Sequence, residues 1–111
     1  MTTDVSGPGI QIYAPFVASV LGTQSVLANA WDDVGVTRVE FYLDAEKVTI
    51  DTEGEPTTVL TPFQRFKYRW DWNTRDGADG MHEIMAVAYD AAGKSASSTI
   101  TVKVDNTRPT V

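Results

Sequence analysis

The sequence predicts an all-β antiparallel sandwich, on three observations. The first is strict alternation in the last third of the chain. There Ile84, Ala86 and Ala88 precede a turn at Asp90-Ala-Ala-Gly-Lys94, and Ile100, Val102 and Val104 follow it. Period-two alternation broken by a Gly-containing turn marks two antiparallel strands with one buried face. The second is a run of aromatics at every other position, Phe66, Tyr68, Trp70 and Trp72, which suits a strand face and no helical stripe. The third is the lack of any sustained 3.6-residue period, which predicts essentially no helix.

In chain order, Ser6 to Gly9 is a loop, and Ile10 to Tyr13 alternates into Pro15 as an edge strand would. A short edge segment follows between Val17 and Leu21. Ser25 to Trp31 directs Val26, Ala28 and Ala30 inward and Leu27 and Trp31 outward, and Asp32 to Gly35 turns the chain. Val36 to Asp44 sets Val39, Phe41 and Leu43 on one face against Glu40 and Tyr42 on the other. Lys47 to Ile50 forms a further strand, and Asp51 to Pro62 opens as an acidic loop. Phe63 to Trp72 carries the aromatics, with Trp70 filling the core. Asn73 to Gly80 is turn-rich and leads into the closing hairpin, where Met85, Val87 and Tyr89 oppose the core set. About seven short strands separated by turn signals is the pattern of an immunoglobulin-like sandwich.

The 111 residues suffice for one core. Nine Lys and Arg against fifteen Asp and Glu leave a net charge of −6. That balance argues against nucleic acid and anionic membrane surfaces as partners, and it favours a soluble, monomeric module. No apolar run approaches the ~20 residues of a membrane span, so no membrane insertion is expected. With no cysteine, the core must hold the fold without disulfides. The start lacks a basic and then apolar leader. Residues 1–8 read as an N-terminal linker, 9–105 as the domain, and 106–111 as a linker to a following domain. In that linker Pro109 fixes its own φ and restricts Arg108, which stiffens the joint.

Several stretches resemble the bacterial Ig-like domain family: Asp33-Val-Gly-Val-Thr-Arg-Val-Glu-Phe-Tyr-Leu-Asp44, Tyr68-Arg-Trp-Asp71, Asp79-Gly-Met-His82, Ala86-Val-Ala-Tyr-Asp-Ala-Ala-Gly93 and Val104-Asp-Asn-Thr107. The resemblance runs from about Ile10 to Asn106. It implies an Ig-like sandwich, often in tandem, in secreted or surface-anchored proteins beside glycoside hydrolase or protease domains or within adhesins. It implies a spacer or presentation role and no reaction. The acidic loop from Asp51 to Pro62 is longer than the family's usual one, and Trp72 stands where a small polar residue is more common.

The residues themselves suggest no catalysis. His82 is the single histidine, with no cysteine to activate and no spacing that ties it to a Ser-Asp pair. Phosphate-cradling glycine motifs and zinc spacings are absent. Two binding readings stand beside the spacer. In one, outward aromatics, Trp31, Trp72 and Tyr89, stack on polysaccharide or meet a cell-surface ligand, although such rings also pack on neighbouring domains. In the other, calcium is held by Asp32, Asp33, Asp90 and Asp105, with Asp4 nearby, at the two ends of the sandwich, because hard oxygen donors are what calcium takes. Asp before Gly or Ala also simply makes turns.

Overall fold

The computed structural model describes residues 8–15, 19–32, 35–56 and 66–106. Asp4, Asp33, residues 57–62 of the acidic loop and residues 107–111 of the C-terminal linker lie outside them. Among the described residues there are nine strands: β1 (Gly9–Ala14), β2 (Ser19–Val20), β3 (Thr23–Trp31), β4 (Val36–Leu43), β5 (Glu46–Asp51), β6 (Glu55–Pro56), β7 (Phe66–Asn73), β8 (Gly80–Asp90) and β9 (Ser95–Val104). Seven are full strands, and β2 and β6 have two residues each. One 3-10 turn, Thr74–Asp76, is the single helical element among the described residues.

The strands form two sheets, ordered β1-β3-β7-β6 and β2-β9-β8-β4-β5. All pairings are antiparallel except β2 with β9, which run parallel. The alternation in the sequence sets the register. Val26, Ala28 and Ala30 of β3 face Ile84, Ala86 and Ala88 of β8 across a core that also holds Val39, Phe41, Val102 and Val104, all at most 4% exposed. Leu43 and Ile100 pack against this cluster at its margin. Small alanines at the facing positions leave room for Phe41 and the β7 aromatics, the large-against-small filling that close-packed interiors require.

Strand β7 corrects one expectation. Tyr68 and Trp72 are buried, at 3% and 5% exposed, while Trp70 is half-buried and packs on the core from the rim. Trp72 therefore lies on the inner face, at the margin where it lines a cleft with Leu43, Val48 and Trp70. Its parity with Tyr68 and Trp70 turns it inward, and period two outweighs the family's preference at that position.

The strands also define the two ends of the sandwich. Gly9, the first residue of β1, lies opposite Trp31, the last residue of β3. Gly80 lies opposite Val104 at the other end of β8 and β9. The chain thus starts its first strand at one end and leaves its last strand at the other.

Candidate functional site

The Asp90 end carries the β3–β4 and β8–β9 turns, brought together because Val36 pairs with Asp90. Asp32 Oδ2 accepts the Gly35 N–H at 3.0 Å. Asp90, only 4% exposed, accepts the N–H groups of Ala92 and Lys94 on Oδ1 at 2.9 and 2.8 Å. Both are the side-chain-to-backbone closures that Asp supplies in turns. Asp105 is at the far end, next to Val104, where its own N–H donates to Val20 O at 2.9 Å. The proposed calcium ligands are thus divided between the two ends. Among the described residues no group of three His, Cys, Asp or Glu is placed to hold a metal ion.

The three aromatics expected to form a sugar platform are not gathered either. Trp31 is on the outer face of the first sheet, where its indole lies so close over Gly9 that any Cβ there would collide with it. Tyr89 is on the outer face of the second sheet. The Arg38 guanidinium sits 3.8 Å over its ring, and its hydroxyl reaches Glu40 Oε1 at 3.4 Å. That glutamate is 5% exposed although it points away from the core. Burial works to raise its pKa, but hydrogen bonds from Arg38 and Tyr42 and the charge of Lys47 prevail and hold it below the usual carboxylate range. Trp72 is seven positions along the strands from Trp31, since it pairs with Gln24.

The Asn106 end is built differently. Gly22 N–H donates to Asn106 Oδ1 at 2.8 Å, and the Asn106 N–H donates to Asp79 Oδ1 at 3.1 Å. Asn106 Nδ2 in turn donates to Thr74 Oγ1 at 3.1 Å. Thr74, 1% exposed, sends its hydroxyl and its N–H to Gly22 O at 2.6 and 3.1 Å. Asn106, read from the sequence as the first linker residue, is fastened to the domain by three hydrogen bonds.

Beside it, His82 Nδ1 is 2.6 Å from Asp44 Oδ2 and Nε2 is 2.6 Å from Ala78 O. Both partners are acceptors, so the ring satisfies them only as a doubly protonated imidazolium. The hydrogen bonds to Asp44 and then to Ala78 raise the His82 pKa above its ordinary value, against the effect of burial. The N–H of Glu83, followed by His82, lowers that of Asp44. The imidazole also meets the Trp72 ring edge-on at 6.2 Å. Nothing in the sequence pairs these residues. The available signal was parity, since His82 shares the inward face of Ile84.

Residues 8–102 match the family model described as the bacterial Ig domain. Solved structures agree on the architecture. The fibronectin(III)-like modules of CbhA from Clostridium thermocellum are 26% identical, with a TM-score of 0.58 over 89% of this chain and 46% of that one. The endo-beta-1,4-mannanase from Thermotoga petrophila is 19% identical, with a TM-score of 0.68 over 94% of this chain and 21% of the enzyme, a likeness of fold alone. No curated protein matches the chain. The chain spans under half of the first structure and about a fifth of the second.

Proposed function

The chain belongs to the bacterial Ig domain family, and from that premise we propose that it is a non-catalytic spacer that presents neighbouring domains of a longer secreted or surface-anchored polypeptide. One observation carries this reading: the first strand begins and the last strand ends at opposite ends of the sandwich. A module threaded in this way separates its neighbours by its own length. That length is about 27 Å along the nine residues of β3, at ~3.4 Å per residue. The parallel β2–β9 pairing and the Asn106 bonds tie the last described residues to the body, so the direction in which the chain leaves is set by the domain. The partners are the adjoining domains. The net charge of −6 helps to keep an exposed array from self-associating.

Small-angle scattering from two copies joined through residues 107–111 tests this. The expected particle is rod-like, with a maximum dimension close to twice that of one copy, and Asn106→Ala broadens its distance distribution. A compact, side-by-side particle overturns the spacer reading.

A further inference from the structure

A cleft of about 280 Å³ opens on the flank where edge strand β5 faces β7, walled by Leu43, Val48, Trp70 and Trp72 and rimmed by Asp71, Asn73 and Asp76. Strand β6 pairs with Phe66 and Lys67 at the start of β7, and among the described residues no strand lies between the Trp70–Asn73 stretch and the cleft. Trp70 and Trp72 stack at 5.5 Å between centroids. Trp72 is 5% exposed, and among the described residues neither indole N–H has a hydrogen-bond acceptor.

We propose that this cleft binds one pyranose ring of a neutral polysaccharide. A pyranose presents apolar C–H surface together with hydroxyl and ring oxygens. The apolar surface matches Val48, Leu43 and the indoles, and the oxygens suit the indole N–H groups, which have no acceptor among the described residues. Its hydroxyls also donate, and the rim answers with acceptors. Asp76 Oδ1 takes only a long, 3.4 Å bond from Asn73 Nδ2. Among the described residues no cation lines the cleft; Asp71 is paired with Arg69 at 2.8 Å, and Asp76 is left to repel uronate or phosphate. The volume falls just short of the ~300–1,000 Å³ that takes a drug-sized ligand, so one ring fits and a longer chain must run out over the rim. Both walls are held in place beforehand. Asp44 follows Leu43, Ala78 follows Gly77 in the opposite wall, and the His82 ring bonds both. A site that need not order itself loses less on binding. The site is separate from the spacer role and does not depend on it.

The test is a titration of the whole chain with cellotetraose, mannotetraose and xylotetraose, followed by the three indole N–H resonances, with a tetragalacturonate as the anionic control. The expected result with at least one neutral tetramer is a saturable shift of the Trp70 and Trp72 signals, with the Trp31 signal still. Affinity falls about tenfold or more in Val48→Trp, which fills the cleft from a residue 41% exposed on an edge strand. In Asp76→Asn, which leaves the walls intact, it falls several-fold. Still Trp70 and Trp72 resonances with every neutral tetramer overturn the proposal. So does an equal response to the uronate, or a shift confined to Trp31, which would put binding on the outer face.

Discussion

The two ends of the sandwich are closed by different means. At the Asp90 end the turn-closing bonds of the two aspartates are short in sequence: Asp32 reaches three residues on to Gly35, and Asp90 reaches two and four residues on to Ala92 and Lys94. At the Asn106 end the partners are distant: Gly22 and Asn106 are 84 positions apart, Gly22 and Thr74 52, and Asp44 and His82 38. A turn that closes on itself forms as soon as its own few residues do. A lock made of four separated segments forms only when both sheets are in place. The Asn106 end should therefore report the integrity of the whole sandwich, and the Asp90 end should tolerate change.

Substitutions can break that contrast. The largest effect expected is at Trp72, which supports His82 and the β7 end of the core. Trp72→Ala should cost about 3–5 kcal/mol in denaturant unfolding, the range of large aromatic truncations. The half-exposed Trp70 should cost less when truncated, and the reverse order would undo the burial assignment. Next is Thr74→Val, which keeps the shape but leaves Gly22 O and Asn106 without the hydroxyl. A loss of about 1–3 kcal/mol is expected, the usual penalty for stranding buried polar partners. At the other end Asp90→Asn retains the Oδ1 acceptor and should cost only about 1 kcal/mol. If it proves more damaging than Thr74→Val, the two ends are not different in the way described.

The smallest effect is the dependence on pH. The folded pKa of His82 is raised above its ordinary value of 6.5, so its contribution is complete below that value and fades as pH rises through the folded one. Asp44 works in the other direction. Its folded pKa is lowered from 3.8, so its contribution is present above that value and is lost as pH falls through the folded one. The pair is thus strongest between the two windows. The melting temperature of the native chain should decline slightly as pH is raised from 6.5, and His82→Gln should remove that decline. An identical slope in the variant would show that the ring is not held as an imidazolium.

Much of the architecture was legible because alternation is a local signal. Once Val26, Ala28 and Ala30 or Ile84, Ala86 and Ala88 lie on a strand, the pleat alone puts each set on one face, and the turns follow from Asp and Gly. The same rule puts Trp72 on the inward face with Tyr68 and Trp70. The candidate sites were less legible, since a site depends on which strand ends meet. No spacing indicates that Trp31 and Tyr89 fall on opposite outer faces.

The sequence by itself determined the strand pattern, the inward face of each strand, the acidic surface and the self-closing turns, because each depends on residues within a few positions of one another. The tertiary structure alone decided that Asn106 is hydrogen-bonded to Gly22, Thr74 and Asp79 and that His82 bridges Asp44 and Ala78. It also decided that β5 and β7 leave an aromatic cleft between them. Each of these needs groups tens of residues apart, and their meeting depends on sheet order and register, which local alternation does not encode.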